Sequence, residues 1–485
     1  MADANDGNDA KDAGADNAGA TNAGGWYELT HGAGLVRLAL IMSCVSLHAM
    51  DVFVTSTILP SVVEDIDGVA FYAWPSALYI ITSIMGAASG GMVGANLGLR
   101  RALGVASIVY LLGSIVCAIA PHMAVFLMGR TAQGVGAGLL VALAYTMVRQ
   151  LFDDDQRPRV FAFMSAIWGV GALLGPLFAG AFAQMGFWRG VYWLILPIVV
   201  IMWVLARRAL PVHTPMSGGN QLPWARLFLL GAAVLCVTVS GQSTEAMVRV
   251  ILILGALLGV AGMLWLDHVA ENSLLPSWPT SFRHTVGTGY WIFFLMSLSF
   301  APLGIFLPLL AQRLHGVEPI WAGYVSAVLS LGWSTGSFVA AGASQPMQRV
   351  LIVTGPLCLL VGIAGQGMFI ATGPLLPLIL LIFLAGLGIG QCHVHVSNRV
   401  MSTAREGEES LTAGAIPTMQ SLGIAFGAAT AGLLANVAGL SGGISVATLT
   451  EVTEWIYGFA LIPAACTVLV ALHLVRLIRS TASTS

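Results

Sequence analysis

The chain has 485 residues, of which 57% are hydrophobic and only 9% are charged, and its formal net charge is −2. Soluble domains carry about 25% charged residues, so this composition excludes an ordinary soluble protein. A chain of this length and hydrophobicity is typical of a protein that crosses a membrane many times. The small net charge says little about partners, and we expect no nucleic-acid partner for a membrane protein of this composition.

The start of the chain differs in composition from the rest. Residues 1–33 are rich in Ala, Asp, Gly and Asn and contain five Asp and one Lys. Such a segment cannot bury a hydrophobic core and is predicted to be a disordered acidic tail. It lacks a basic n-region, so no signal peptide is predicted.

Fourteen apolar segments follow, each close to the roughly 20 residues that a helix needs to cross a bilayer. They lie near residues 35–60, 71–94, 102–120, 123–148, 159–184, 189–206, 225–242, 247–267, 286–312, 320–342, 349–371, 374–398, 410–437 and 453–478. The predicted fold class is therefore an all-α polytopic membrane protein with 14 transmembrane helices. The six cysteines fall inside these segments, which argues against a disulfide framework.

The arginines test the number of spans. If the N-terminus is cytoplasmic and the spans alternate in direction, fifteen arginines fall at cytoplasmic ends or loops, which is the positive-inside bias. These are Arg37, Arg100, Arg101, Arg149, Arg157, Arg159, Arg207, Arg208, Arg226, Arg283, Arg349, Arg399, Arg405, Arg476 and Arg479. Arg189, Arg249 and Arg313 fall on the other side, and Arg130 lies within the fourth span. Both termini are therefore expected in the cytoplasm.

The two halves of the chain carry the same glycine patterns in the same order. Span 4 contains "QGVGAG" and span 12 contains "AGLGIG", each with a glycine at every second position. Span 5 contains "GALLGPLFAG" and span 13 contains "GIAFGAATAG", whose glycines are spaced by four and five residues. Small residues bring helix backbones close together in a bilayer. Spans 1–6 thus resemble spans 9–14, which predicts two pseudo-symmetric six-helix bundles with spans 7 and 8 inserted between them.

This repeat divides the chain into domains. We expect the two inserted helices at the periphery, because they lie outside the duplicated set. The predicted domains are a disordered acidic cytoplasmic tail (1–33), an N-terminal six-helix bundle (34–208), a linker with two extra transmembrane helices (209–284), a C-terminal six-helix bundle (285–480) and a short cytoplasmic tail (481–485).

Four motifs in the first half are similar to those of one protein family. "MDVFVTSTILP" resembles the first-helix pattern L-D-x-T-I-V-N-x-A-L-P, and "RTAQGVG" matches the fourth-helix pattern R-x-x-Q-G-x-G. "GALLGPLFAG" resembles the fifth-helix antiporter signature, and "GMVGANLGLRR" matches part of the motif between helices 2 and 3. The chain therefore resembles the major facilitator superfamily, in particular its 14-helix drug:proton antiporter branch. The aligned residues are Asp51, Pro60, Gly91, Gly98, Arg100, Arg101, Arg130, Gln133, Gly134, Gly136, Gly171, Gly175, Pro176 and Gly180.

One position departs from the family pattern. The acid of the motif between helices 2 and 3 is replaced by Ala95. In the family that acid helps to latch the two halves together at the cytoplasmic side. The resemblance therefore implies either a missing latch and a shifted balance between conformations, or a weaker polar substitute in Asn96.

The resemblance implies a secondary transporter that works by alternating access and exports amphipathic organic compounds against proton entry. A proton-coupled uptake symporter of a small polar solute is one alternative, and a transport-inactive membrane sensor or receptor is another. The sequence contains no nucleotide-binding loop, so energy is expected from a proton gradient without a cofactor. We expect a monomer in a bacterial inner (plasma) membrane, with no enzymatic activity. Its expected partners are a small-molecule substrate and the lipid bilayer.

Asp51 is an acid in the middle of an apolar span, where a charge costs about 2.5–3.5 kcal/mol or more. It lies nine residues before Pro60, and Arg130 lies eight residues after His122. Both are then about 12–13 Å from the same membrane face, so they can form an ion pair, directly or across a cavity. Alternatively, Arg130 only binds carbonyl groups. Asp51 is predicted to accept the transported proton and Arg130 to control its release, while His48, on the same helix face, shares that proton or binds a carbonyl.

A histidine of the second half is predicted to face the substrate cavity. Aligning the glycines of spans 4 and 12 places Ile382 at the position of Arg130, and His393 follows Ile382 by eleven residues. Eleven residues are about three turns, so the two share a face. His393 and His395 point about 200° apart on a helix, so no metal site is predicted. The other cavity candidates, for which plain packing is the alternative, are Gln133, Tyr145, Trp168, Trp291 and Gln420.

Overall fold

The structure is a computed structural model that describes residues 31–153, 156–210, 223–243, 245–270, 275–276, 279–406 and 408–482. These residues form fourteen α-helices and no β-strand. The helices are α1 (Gly32–Asp65), α2 (Trp74–Leu97), α3 (Leu99–Ala118), α4 (Met123–Leu151), α5 (Arg157–Gln184), α6 (Gly190–Ala209), α7 (Trp224–Ser240), α8 (Ala246–Val269), α9 (Thr285–Leu314), α10 (Pro319–Ala340), α11 (Gln345–Phe369), α12 (Leu375–Ser402), α13 (Glu409–Val437) and α14 (Val446–Ala482).

Each of the fourteen helices coincides with one predicted span. Within the described ranges, twelve are long and apolar enough to cross a membrane by length and composition. The other two are α7, with 17 residues, and α10, with 22 residues. At 1.5 Å per residue, a helix of 17 residues is about 26 Å long, which approaches the roughly 30 Å hydrocarbon core. The predicted all-α polytopic fold is confirmed.

The helices pack in two equivalent sets. In the first set, α1 packs against α5 and α6, α2 packs against α4, and α3 packs against α4 and α6. The second set repeats these pairs with helix numbers that are higher by eight: α9 packs against α13 and α14, α10 against α12, and α11 against α12 and α14. The halves meet where α5 packs against α10 and α2 packs against α13. This arrangement is the predicted pair of pseudo-symmetric six-helix bundles.

The glycines of α4 and α12 explain why these helices pack so closely on their neighbours. Gly134 and Gly138 face α2, and Gly386 and Gly390 face α10. A Cβ atom built on any of these four glycines would lie only 1.9–2.0 Å from an oxygen of the facing helix. Gly136, the middle of the three glycines in α4, faces α3 instead, and Gly388, the middle one in α12, faces α11. The glycine pattern that revealed the repeat therefore makes the same contact in both bundles.

The inserted helices lie beside the junction of the two bundles. Helix α7 packs against α2 of the first bundle and α13 of the second, and α8 packs against α7. Ile81, Val234 and Ala425 form a buried apolar contact at this three-helix junction. The buried Arg226 of α7 forms an ion pair with the buried Asp267 of α8, which ties the inserted helices together.

The two ends of the protein differ in charge. One end carries the fifteen arginines of the positive-inside pattern and is called the arginine-rich end. The other is called the acidic end and carries Glu64, Asp65, Asp67, Glu245, Glu318, Glu451 and Glu454. The three arginines outside the positive-inside pattern have partners at the acidic end: Arg313 pairs with Glu64, Arg189 pairs with Asp65, and Arg249 donates to the Ser243 carbonyl at 2.8 Å.

Polar contacts join the two bundles at the acidic end. Arg313 of α9 forms its ion pair with Glu64 of α1, and Gln184 of α5 donates a hydrogen bond to Glu318, directly before α10, at 3.0 Å. The acidic end is therefore closed in this conformation.

A single backbone carbonyl also joins three parts of the chain at this end. The Ala70 carbonyl, between α1 and α2, accepts a hydrogen bond from Gln242, directly after α7, at 2.7 Å. It accepts a second from Asn436 of α13 at 2.8 Å. Both bundles and the inserted pair are thus connected at the closed end.

Candidate functional site

The centre of the first bundle holds a buried ion pair between α1 and α4. Asp51 and Arg130 are each 1% exposed. The Arg130 Nη1 atom donates to both carboxylate oxygens of Asp51 at 2.8 Å. The depths inferred from the sequence had placed these residues at the same level, and the structure brings them into contact. Removing one partner of such a buried pair leaves an uncompensated charge, at a cost of about 3–5 kcal/mol.

Arg130 is held by further groups besides Asp51. Its Nη1 atom also donates to Gln133 Oε1 at 2.9 Å, and Nε donates to the Pro75 carbonyl at 3.4 Å. Gln133 in turn donates to Ser114 of α3 at 2.9 Å. Gln133, predicted as a cavity residue, is fully buried and therefore belongs to this Arg130 network.

A tyrosine that the sequence did not single out connects His48 to the ion pair. Tyr79 of α2 presents its ring face to Arg130, with the guanidinium carbon 4.3 Å from the ring centroid. Its hydroxyl lies 2.9 Å from His48 Nδ1, and the two rings stack. The partner of His48 is thus the Tyr79 hydroxyl, whereas the sequence left open a proton shared with Asp51 or a bond to a carbonyl. The sequence contained one indication of this contact. Gly134 lies one turn after Arg130, and its lack of a side chain allows α2, which carries Tyr79, to approach α4.

His48 and two predicted cavity residues lie towards the arginine-rich half of the bundle. The Trp168 ring of α5 contacts the half-buried His48 edge-on, at 5.8 Å between centroids. Trp168 is 42% exposed and Tyr145 of α4 is 51% exposed. Exposure therefore decreases from Trp168 through His48 to the fully buried ion pair.

The second bundle contains an uncharged aromatic cluster. His393 of α12 lies 5.3 Å from the Phe293 ring and 5.5 Å from the Trp333 ring, and its side chain interacts with that of Gln420. Gln420 occupies the repeat position of Trp168, three residues before the first glycine of the matching motif. The two bundles thus use equivalent positions of α5 and α13 to contact a histidine.

The remaining predicted residues lie elsewhere. Trp291 donates from Nε1 to the Thr280 carbonyl at 3.0 Å and stacks on Phe282, so it anchors the segment before α9. His395 is buried, whereas His393 is half-buried, as expected for different helix faces. Among the described residues, no group of three or more His, Cys, Asp or Glu side chains could hold a metal ion.

The fifth-helix motif forms contacts with α1 and α10. A Cβ on Gly171 would lie 3.4 Å from Ala49, and one on Gly175 would lie 2.7 Å from the Phe53 side chain of α1. Gly180 and Pro176 face the start of α10, where a Cβ on Gly180 would lie 2.4 Å from Ile320. This motif therefore packs at the junction of the two bundles.

The motif between α2 and α3 is described in part. Gly98 has φ +73°, a left-handed conformation that favours glycine and ends α2. Arg100 is half-buried and Arg101 is exposed at the arginine-rich end. The surroundings of the Gly91 and Ala95 side-chain positions lie outside the described part of the structure, so the predicted effect of Ala95 stays a prediction.

Two repeated six-helix bundles that are joined at one end, with a buried ion pair in the centre of the first, are the architecture of a class of multi-pass membrane carriers. A family model described as the Major Facilitator Superfamily matches residues 41–428. The chain belongs to this family, and it is a secondary transporter.

Relatives and solved structures agree with this assignment. A probable multidrug-efflux transporter of Mycobacterium tuberculosis is 32% identical over 436 residues, which cover 86% of this chain and 91% of that protein. Multidrug resistance protein 3 of Bacillus subtilis is 23% identical over 311 residues, which cover 63% of this chain and 60% of that protein. The crystal structure of the POT family transporter PepTSo has a TM-score of 0.64 at 15% identity, covering 90% of this chain and 98% of that one. At this identity, the structural likeness shows the fold alone.

Proposed function

We propose that the protein is a proton-coupled exporter of amphipathic organic compounds that works by alternating access. The observation that carries this proposal is the buried Asp51–Arg130 ion pair. Asp51 is the acid farthest from the helix ends in the duplicated twelve helices, and intramembrane acids mark proton and substrate pathways. The name of the Mycobacterium tuberculosis relative, a multidrug-efflux transporter, supports export.

The ion pair suits a coupling role because its two states differ in charge. When Asp51 takes up a proton it loses its charge, and Arg130 keeps the Gln133 and Pro75 oxygens as acceptors. When the proton leaves, the carboxylate regains its charge-assisted hydrogen bonds to Arg130. Proton binding thus changes how α1 is held to α4, which allows it to bias a conformational equilibrium.

The distribution of charge supports an orientation and a conformational state. The positive-inside bias favours a cytoplasmic location for the arginine-rich end. The closed acidic end then faces outward, and the exposed Trp168 and Tyr145 lie on the cytoplasmic half. These features support an inward-facing state, in which substrate enters from the cytoplasm or the inner leaflet.

The direct test is the direction of proton movement during transport. Purified protein is reconstituted in vesicles that contain a pH-sensitive dye, and a gradient of a fluorescent amphipathic compound is applied without a pH gradient. The proposal predicts proton movement opposite to the compound. Movement in the same direction would identify a symporter, and compound binding without either movement would identify a sensor.

A matched variant controls for damage to a buried ion pair. Asp267→Asn removes the acid of the Arg226–Asp267 pair, which is also buried but lies in the inserted helices. It is expected to reduce stability without changing the number of protons moved per substrate. A panel of cationic, neutral and anionic compounds on the same preparation then defines the substrate class.

A further inference from the structure

The buried ion pair needs a path for its proton. Asp51, Arg130 and Tyr79 are each 1% exposed, so the carboxylate has no direct contact with solvent in this conformation. A proton that loads or leaves Asp51 must therefore pass through neighbouring polar groups or wait for a large opening.

The neighbouring groups form an ordered series from exposed to buried. Trp168 is exposed and contacts His48, which is half-buried. His48 Nδ1 lies 2.9 Å from the Tyr79 hydroxyl. The Tyr79 ring contacts the guanidinium of Arg130, whose Nη1 atom binds Asp51. His48 and Asp51 are also three residues apart on α1, so they share one helix face.

The structure points to His48 and Tyr79 as the residues that carry the proton between the arginine-rich half of the first bundle and Asp51. This inference rests on the proposed proton coupling and adds the route. The protonated imidazole of His48 gives its Nδ1 proton to the Tyr79 oxygen, while the Tyr79 O–H proton passes to an Asp51 carboxylate oxygen. The imidazole is left neutral, the tyrosine hydroxyl is restored, and Asp51 gains one proton. Release follows the same steps in reverse.

Arg130 determines when the last transfer takes place. Its guanidinium contacts both the Tyr79 ring and the Asp51 carboxylate. When Arg130 releases the carboxylate and keeps its hydrogen bond to Gln133, Asp51 can accept a proton. The proton relay through His48 and Tyr79 is therefore coupled to the separation of Arg130 from Asp51.

The charged and titratable groups around His48 come from several helices. Tyr79 comes from α2, Arg130 from α4 and Asp51 from α1 itself. Tyr110 of α3 donates to the Leu47 carbonyl, beside His48, at 3.3 Å. Helix α5 contributes the uncharged Trp168.

The remaining neighbours of α1 make their contacts further along. Tyr192 of α6 lies near Arg130. Helix α10 meets α1 at Thr57, where Gly323 packs, and α9 meets it at Glu64, which pairs with Arg313. Thr57 is nine residues beyond His48.

The test separates proton movement from substrate movement. The initial rate of proton-driven transport is measured across a pH series for Tyr79→Phe and His48→Gln, together with proton-independent substrate exchange. Both variants are expected to slow proton-driven transport by about tenfold or more, because a positioned acid–base group contributes about 10²–10⁴-fold to proton transfer. Exchange is expected to change much less. In His48→Ala, added imidazole is expected to restore part of the proton-driven rate, which a merely structural histidine would not show.

Tyr110→Phe is the matched control, because it removes a buried tyrosine hydroxyl that binds a backbone carbonyl. It is expected to keep the wild-type ratio of proton-driven transport to exchange. Wild-type rates and pH dependence in Tyr79→Phe would overturn the relay, as would an equal loss in Tyr110→Phe. Retained coupling in Asp51→Asn would instead refute the proposed function, so the two failures are distinguishable.

Discussion

The Nη1 nitrogen of Arg130 carries two hydrogens but lies within hydrogen-bond distance of three oxygens. Two belong to Asp51 at 2.8 Å and one belongs to Gln133 at 2.9 Å. Gln133 is therefore a second acceptor that stabilises Arg130 when Asp51 is neutral. It is itself fixed by Ser114, so the position of the arginine depends on α3 as well as on α1.

Replacing Gln133 with leucine is expected to destabilise the protein. The variant removes the Gln133 hydrogen bonds to Arg130 and to Ser114, and a hydrogen bond contributes about 0.5–1.5 kcal/mol, or about 1.5–3 kcal/mol when one partner is charged. The melting temperature in detergent measures the effect. Gln366→Leu is the control, since the side chain of this buried glutamine of the second bundle donates a long hydrogen bond, 3.5 Å, to the Leu381 carbonyl. An equal decrease in both variants would contradict the special role of Gln133.

The sequence predicted part of the site at this scale. The contact of Asp51 with Arg130 followed from helix depth, because the rise per residue is fixed. The contacts of Tyr79 and Gln133 did not follow, because they depend on how α2, α3 and α4 are rotated about their axes. Hydropathy along a helix that is buried on most sides gives little indication of that rotation.

At the scale of helices, the close approach of α4 to α2 and of α12 to α10 depends on glycine. The oxygens facing Gly134 and Gly386 belong to the neighbouring helices, so a side chain could be accommodated only by moving a helix apart. The periodicity of these glycines was readable from the sequence and identified the repeat. The helix that each glycine faces became known only from the packing.

Gly386→Ala is expected to destabilise the second bundle. The new Cβ would lie 2.0 Å from the Leu329 carbonyl oxygen, and overpacking of this kind costs about 1–3 kcal/mol or more. Gly304→Ala in α9 is the control, because a Cβ there meets no atom within 4 Å. Thermal unfolding in detergent measures both variants, and a similar melting temperature for the two would contradict this packing.

At the scale of the whole molecule, the two bundles are connected at the acidic end by Arg313–Glu64 and by Gln184–Glu318. Fold and topology followed from the fourteen apolar segments, the arginine bias and the repeat. The conformational state did not, because an alternating-access carrier adopts inward- and outward-facing states with one sequence. The contacts that close the acidic end form in one of these states, and the amino-acid composition contains no pattern that reveals them.

Arg313→Gln is expected to shift the population towards forms that are open at the acidic end. Exposed ion pairs contribute about 0–1 kcal/mol, so the shift is at most about fivefold. Spectroscopic distances between labels on the two bundles at this end measure it. Arg189→Gln breaks a pair with Asp65 inside the first bundle and is expected to leave the distances unchanged. Equal shifts in both variants would show that the Arg313 pair does not hold the bundles together.

The variant Asp51→Asn tests most directly whether Asp51 carries the proton that drives transport. Asparagine keeps the shape of the side chain and removes its titration. The measurement is accumulation of an amphipathic compound against its gradient in vesicles with an imposed pH gradient, beside exchange without one. We predict that Asp51→Asn loses uphill accumulation and retains downhill exchange, while Asp267→Asn retains both. Accumulation by Asp51→Asn with wild-type pH dependence would show that Asp51 is a structural acid and would contradict this mechanism.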